Sequence, residues 1–272
     1  MGAGRPDVSF ADFCRLAVPV VGLDLAAYKP EFLSERIERR RTELGLPSLR
    51  AYLDRLMGDA RERRRLRDGV TAGVSSLYRD PALWDELAHV HLPVLAARAG
   101  RPLHVWSAGT GPGHELYTIA CLLADAGLLD RSDLLGTDVS LTALARARAG
   151  VYAPADFETV PPHWIDRYFR PVAGGLTIDD GIRSRIEFRY GDLLAPLPGD
   201  GFDLILCRNV VIYLLSAAQA RIFARLAEAL RPGGILFLGS AERPTDPESL
   251  GLRHVRRAFY ERPPQGPLET AS

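Results

Sequence analysis

The chain has 272 residues, 47% of them hydrophobic and 25% charged, with 34 basic side chains balancing 34 acidic ones. That is the composition of an ordinary globular protein, and the zero net charge argues against a general nucleic-acid or membrane binder. No apolar run approaches the ~18–20 residues that cross a bilayer. The opening Met-Gly-Ala-Gly-Arg-Pro-Asp holds no apolar stretch of a signal peptide, so a cytoplasmic protein is expected.

Residues 8–68 read as helical. Phe10, Phe13, Leu16 and Ala17 share a helical face, as do Leu33, Ile37 and Leu44, then Leu49, Tyr52, Leu53 and Leu56. Gly45, Pro47 and Ser48 mark a break with Ser48 as N-cap, and Gly58-Asp59 marks another. Between 35 and 67 stand eleven arginines against six acids. A solvated helix face with pairs such as Glu35/Arg39 accounts for this. A docking face for an acidic partner accounts for it too.

Residues 69–92 form a connector and then a helix opening at Pro81, a favourable first-turn residue after Asp80. Beyond it the pattern alternates. Strands are expected at 103–107, 134–138, 186–190, 202–207 and 234–239, with helices at 115–126, 140–149 and 216–230. Strand–helix alternation implies a mostly parallel, doubly wound α/β sheet. Val255 to Glu261 can add a last strand. The segment 151–185, with Pro154, Pro161, Pro162, Gly174, Gly175 and Gly181, is too long for a plain loop. It reads as an insertion, with a small antiparallel unit around Leu176–Ile178 and Ile186–Phe188. The expected division is therefore 1–68 helical, 69–92 connector, and 93–272 α/β. Cys14, Cys121 and Cys207 are scattered without a CxxC pair, and Cys121 and Cys207 sit in apolar runs, as buried free thiols of a reducing compartment do.

The strand Leu103–Ser107 runs into Gly109, Gly111 and Gly113 and then a helix. Glycine at such a turn lets a ligand approach the main chain closely. A dinucleotide fingerprint needs its third glycine where His114 stands, and the Lys-Ser/Thr pair of a P-loop is missing. The next strand ends in Asp138, which can accept both hydroxyls of a ribose or cap the helix starting near Ser140. Asp192-Leu193 ends the third strand, where a polar side chain can meet an adenine amino group. Arg208 and Asn209 close a strongly apolar strand and are expected to face the ligand crevice, with Tyr213 four residues beyond Asn209. Together these describe an adenosine pocket without a phosphate site, which points to S-adenosylmethionine. Glu115 is the carboxylate placed to meet its ammonium group.

Four segments in this order resemble the CheR-type chemoreceptor glutamate methyltransferases over nearly the whole chain. They are Thr71-Ala-Gly-Val-Ser-Ser-Leu-Tyr-Arg79-Asp-Pro, Trp106-Ser-Ala-Gly-Thr-Gly-Pro-Gly-His-Glu115-Leu-Tyr117-Thr, Gly136-Thr-Asp138-Val-Ser with Ala145 to Tyr152, and Cys207-Arg-Asn-Val-Val-Ile-Tyr213. The resemblance implies a helical N-terminal domain and a class I methyltransferase domain with a small β insertion. It implies S-adenosylmethionine contacts, with S-adenosylhomocysteine as product, at Gly73, Ser75, Arg79, Glu115, Asp138, Asp192, Leu193, Asn209 and Val210. It places Arg79 and Tyr213 near the transferred methyl. The implied acceptor is a glutamate on the cytoplasmic helical bundle of a chemoreceptor-like protein, docked by the arginine-rich N-terminal helices. The chain departs from the family's pattern at Gly73, Ser75, Leu77-Tyr78, Gly111-Pro112, His114, Asp192 and Gly239–Glu242. Two other readings stay open on the sequence: the same fold with another acceptor, and a binding module without turnover.

Overall fold

The computed structural model describes residues 6–71, 73 and 75–264. The opening residues 1–5, on which the signal-peptide reading rests, lie outside them, as do Ala72 and Val74 of the segment before Arg79. The chain divides into two compact units, one within Met1–Ala72 and including Tyr213–Gln219, the other Gly73–Ile212 with Ala220–Ser272.

The first unit is helical: α1 (Phe10–Val21), α2 (Pro30–Glu43), α3 (Leu49–Gly58) and α4 (Ala60–Thr71). Each break has a local cause. Ser9 caps α1 by accepting from the Asp12 amide, and Gly22 ends it at φ +69°. Ser48 caps α3, its hydroxyl accepting from the Ala51 amide, as the sequence suggested. Phe13, Ala17, Leu33, Ile37, Tyr52 and Leu56 meet in the core, all essentially sealed from solvent.

Beside that core is an ion pair with a buried carboxylate. The Arg40 guanidinium donates from Nε and Nη2 to the two oxygens of Glu62 at 2.8 and 2.7 Å, and the Tyr52 hydroxyl adds a third bond at 3.0 Å. Burial alone would raise the Glu62 pKa, but these donors outweigh it and hold the carboxyl below its usual range. The arginine richness of this unit also has a structural use. Arg36 donates to Gly69 O, Arg63 to Leu56 O and Met57 O, and Arg67 to Val21 O. Each of these carbonyls lies at a helix C-terminus, where backbone acceptors lack partners and the helix dipole favours cations. The Glu35/Arg39 pair forms at 4.0 Å.

The second unit starts with α5 (Pro81–Glu86), a widened turn over Leu87–His91, and α6 (Leu92–Ala99). Then come β1 (Leu103–Ala108), α7 (His114–Asp125), β2 (Ser132–Asp138) and α8 (Leu141–Ala149). The insertion follows as β3 (Val151–Tyr152), α9 (Pro162–Tyr168), β4 (Phe169–Val172), β5 (Gly175–Ile178) and α10 (Asp180–Arg183). The chain then returns with β6 (Ile186–Tyr190), β7 (Phe202–Cys207), α11 (Ser216–Ala229), β8 (Leu230–Leu238), β9 (Arg253–Arg256) and β10 (Phe259–Glu261).

Seven strands make the main sheet in the order β6-β2-β1-β7-β8-β10-β9. The first four pairings, β6 through β8, are parallel, and β10 runs antiparallel to β8 and β9. All six residues of β7 are buried, as expected of a strand covered on both faces. The strand order reverses direction at β1 and β7. A doubly wound sheet opens a crevice at that point, beyond the carboxyl ends of the strands.

The insertion carries its own antiparallel sheet, β3-β5-β4. A Cβ on Gly175 would sit 1.9 Å from Tyr152 O, so only glycine lets β5 come this close to β3. One expectation needs correcting here. Ile186–Phe188 does not join Leu176–Ile178; it pairs in parallel with β2, Leu134 opposite Ile186 and Gly136 opposite Phe188. The cause is α10, whose N-cap Asp179 accepts from the Gly181 amide. That helical turn carries the chain back to the main sheet, where a hairpin would have needed a tight turn. The last strand is also two strands, turned at Arg257, φ +47°.

Candidate functional site

The crevice is built from the turns after β1, β2, β6 and β7. After β1 the chain passes through Gly109, Gly111 and Gly113 at φ +80°, +55° and +90°. Gly109 and Thr110 donate their amides to Thr137 O at 2.9 Å each, which stitches the loop to the end of β2. The three glycines do different things. A Cβ at Gly109 would lie 2.6 Å from Val210 Cγ2, and one at Gly113 would meet Ala147 at 3.0 Å. Gly111 faces open space, with nothing within 4 Å of a Cβ there. It is the one of the three at which a ligand can reach the backbone.

Asp138 closes this loop from below. Its Oδ2 accepts from the Gly111 amide at 2.8 Å and its Oδ1 from the Ser140 amide at 2.8 Å. Ser140, not Asp138, caps α8, accepting from Ala143 at 3.0 Å. After β6, Asp192 makes a similar turn, accepting from the Leu194 amide at 2.8 Å. The carbonyl of Leu193 accepts from Arg225 on α11 at 2.8 Å.

After β7, Asn209 takes φ +58°, a left-handed conformation that asparagine tolerates better than most residues. The segment is held by Glu242, to which sequence reasoning gave no role. Glu242, 3% exposed, accepts four backbone amides: Asn209 at 2.7 Å and Gly239 at 2.9 Å on Oε2, Val210 and Val211 at 2.8 Å each on Oε1. A carboxylate with both oxygens doubly filled has its bonding capacity used up.

His114 and Glu115 open α7 and part ways. His114 packs into the insertion, its ring 4.6 Å from that of Tyr152 and its Nε2 3.3 Å from Asp156 Oδ1. Burial pulls its pKa down. Glu115 turns to the ends of β1 and β7, accepting from the Ser107 hydroxyl at 2.9 Å, with Arg208 Nη1 3.9 Å away. Burial pushes its carboxyl up to about 7, against the pull of Arg208 and Ser107, and the Glu242 charge adds to the rise. A largely buried carboxylate with the Arg208 guanidinium no closer than 3.9 Å suits an incoming cation. Open space at Gly111 and an underpaired carboxylate at Glu115 fit the nucleoside and ammonium ends of S-adenosylmethionine.

Arg208 corrects an expectation. It does not face the crevice but is 8% exposed, with Trp84 and Phe237 ring centres 5.0 and 4.6 Å from its guanidinium carbon. Aromatic faces attract a desolvated guanidinium. Asp80 Oδ2 accepts from its Nη2 at 2.8 Å. That use of Asp80 explains why its side chain does not cap α5.

Arg79 lies between two residues in the left-handed region, Tyr78 at φ +55° and Asp80 at +64°. Its carbonyl accepts from Trp84 Nε1 at 2.8 Å and Arg208 Nη2 at 3.2 Å. Gly73 is exposed and Ser75 half-buried on the approach to this corner. Tyr213 belongs to the helical unit, where its ring stacks on Phe32 at 4.4 Å and its carbonyl accepts from the Lys29 amide at 2.9 Å. The sequence-read residues of the strand ends thus converge in the α/β unit, and Tyr213 is grouped apart from them.

A sheet of this order, with a glycine turn after its first strand and a carboxylate after its second, defines a class I S-adenosylmethionine-dependent methyltransferase. Comparison with known proteins gives the particular family. Residues 73–256 match "CheR methyltransferase, SAM binding domain", and residues 9–71 match "CheR methyltransferase, all-alpha domain". The chain belongs to the CheR methyltransferase family. A "Chemotaxis protein methyltransferase" of Klebsiella aerogenes is 34% identical, covering 94% of this chain and 87% of that one. One from Listeria monocytogenes is 32% identical over 91% of this chain and 95% of that one. An uncharacterised 104.1 kDa protein of Rhodobacter capsulatus is 38% identical over 79% of this chain, which spans only 23% of its length.

Proposed function

We propose that this methyltransferase esterifies glutamate side chains on the cytoplasmic helical region of a chemoreceptor-like protein. The observation that carries the reading is the Arg79 corner: an arginine whose backbone carbonyl accepts from Trp84 and Arg208 and whose two neighbours are left-handed. Strained backbone of this kind gathers at functional sites, where surrounding contacts over-determine it. A guanidinium suits a carboxylate acceptor, which it can hold through two parallel bonds. The relatives named chemotaxis protein methyltransferase support methyl transfer within chemotaxis.

When bound, S-adenosylmethionine supplies a sulfonium-activated methyl group. Glu115 meets its ammonium, Asp138 the ribose hydroxyls, and Asp192 with Leu193 the adenine. Gly111 gives it a backbone surface, in a turn that Gly109 and Gly113 allow, with Gly73, Ser75, Asn209 and Val210 as further contacts carried over from the family resemblance. Arg79 and Tyr213 serve the acceptor. The acceptor glutamate is already ionised at neutral pH, so no general base is needed. Attack of its oxygen on the methyl carbon would break the carbon–sulfur bond, with S-adenosylhomocysteine as the leaving group. The reaction is then a matter of alignment.

Docking falls to the arginines that helix capping leaves exposed on the helical unit, Arg39, Arg61, Arg64 and Arg65. A cleft of about 210 Å³ between α2 and α4, lined by Arg36, Arg39, Arg65 and Glu43, lies on that face. We place the protein in the cytoplasm, with the receptor's signalling region. The test is transfer of radiolabelled methyl from S-adenosylmethionine to a receptor cytoplasmic fragment. Label released by mild base supports a glutamyl ester, and a base-stable product or no transfer overturns it. Arg79→Ala is expected to lose transfer about 100-fold while cofactor affinity changes less than about threefold, the pattern of an interaction made only in the transition state.

A further inference from the structure

Arg208 stands in both halves of the site. On one side its Nη2 donates to Arg79 O at 3.2 Å and to Asp80 Oδ2 at 2.8 Å. On the other its Nη1 lies 3.9 Å from Glu115 Oε2. The side chain between them is walled in by Trp84 and Phe237, and its Nε has no hydrogen-bond partner among the described residues. A guanidinium is rigid, planar and always charged. A displacement at one end of the fork is therefore felt at the other.

Mere stability explains this arrangement poorly. A buried charge is expensive unless it is fully paired, and apolar residues of similar volume commonly replace such pairs without loss. Here one cation is divided between two carboxylates that belong to different tasks. The corner it supports is otherwise well braced: the Tyr78 amide donates to Thr118 Oγ1 at 3.0 Å, and Thr159 Oγ1 donates to Leu77 O at 3.0 Å. Those contacts fix the approach to Arg79. Arg208 bonds both Arg79 and Asp80 and lies beside the residue assigned to the cofactor.

We propose that Arg208 is a positioning residue that couples cofactor binding at Glu115 to the geometry of Arg79. The inference rests on the cofactor and acceptor roles given above. An ammonium group arriving at Glu115 competes with Arg208 for the same carboxylate. Relieved of that pull, the guanidinium holds more firmly the Asp80 carboxylate and the Arg79 carbonyl to which it already donates, so the acceptor side is set when the methyl donor is in place. Glu115 is suited to such an exchange, because burial leaves its carboxyl near neutrality in its pKa, at about 7.

Coupling of this kind is reciprocal: what Asp80 does to Arg208 must appear in cofactor affinity. Asp80→Asn tests it with little risk to the fold. Asparagine accepts the left-handed conformation, and the Asp80 side chain is 39% exposed. The substitution loosens the Asp80 hold on Arg208, which then competes harder for Glu115. Calorimetric titration with S-adenosylhomocysteine is run on wild type, Asp80→Asn, Glu115→Gln and the double variant, with thermal melts checking the fold. Asp80→Asn is expected to weaken binding about fivefold in the wild-type background and less than about twofold when Glu115 is already glutamine.

Equal weakening in both backgrounds, or none in the wild type, overturns the coupling while leaving the cofactor assignment intact. Wild-type protein that does not bind S-adenosylhomocysteine overturns the cofactor assignment, and the coupling with it. A second readout is the ¹⁹F resonance of Trp84 in fluorotryptophan-labelled protein, assigned with Trp84→Phe. It is expected to move on cofactor binding in the wild type and to stay fixed in Arg208→Lys. A shift of equal size in both proteins counts against the proposal.

Discussion

Among the described residues, Arg40–Glu62 and Arg208–Glu115 are arginine–glutamate pairs whose carboxylates are largely out of solvent, and they are built in opposite ways. In the helical unit Arg40 grips Glu62 with two bonds of 2.8 and 2.7 Å, and Tyr52 completes the carboxylate. In the α/β unit Arg208 stops 3.9 Å short of Glu115 and spends its hydrogen bonds on Asp80 and Arg79. The first carboxyl is held below its usual range and the second is pushed up to about 7. The difference separates a finished interaction from an unfinished one. A satisfied pair locks a fold, and an underpaired carboxylate in a crevice keeps a place for a cation that the chain itself does not supply.

The contrast can be broken at either end. The largest effect is expected from Arg40→Ala, which strands Glu62 as an uncompensated buried charge. Stability should fall by about 3 kcal/mol, the scale for removing one partner of such a pair, as read by urea unfolding. A loss under ~1 kcal/mol would mean that the two pairs are alike. Glu115→Gln should do the reverse. It removes an ill-paired charge, so the melting temperature of the cofactor-free protein stays level or rises, while S-adenosylmethionine affinity drops about tenfold, near the scale of one charged hydrogen bond. A variant that melts earlier and binds normally would make Glu115 structural.

The smallest effect is a pH dependence that follows from the raised Glu115 pKa. Only the ionised carboxylate attracts an ammonium group, so affinity should climb as pH rises through about 7 and then level off. Arg208 and Ser107 favour the ionised form, and Glu242 opposes it. Folding stability runs the other way. Between 4.5, the ordinary value, and about 7 the folded protein keeps a proton that the unfolded chain has lost, so this group makes stability fall as pH rises across that window. A flat affinity profile in the wild type, or the same slope in Glu115→Gln, contradicts the assignment.

Much of this was legible in the sequence because its causes are local. The N-cap at Ser48, the helix start at Pro81, the apolar run of β7 and the glycine turn after β1 each depend on a few adjacent residues. What escaped depends on partners far along the chain. Glu242 reaches back more than 30 residues to the amides of Asn209, Val210 and Val211, and no local pattern marks a carboxylate that binds backbone. Arg208 reads as a crevice residue until Trp84 and Phe237 are seen to wall it in. The arginine-rich helices suggested a surface charge field. Several of those side chains instead close the ends of neighbouring helices, a use that appears only once Val21, Leu56 and Gly69 have been brought beside them.

The two final strands carry a consequence of their own. β9 is the outermost strand of the main sheet beside β10, and all four of its residues, Arg253, His254, Val255 and Arg256, are exposed. A sheet edge is an open template for strands of other molecules, and basic side chains along it repel a second copy of the same edge. The main sheet thus has a guarded border at β9. Neutralising Arg253 and Arg256 would convert that border into a seam along which two molecules could join.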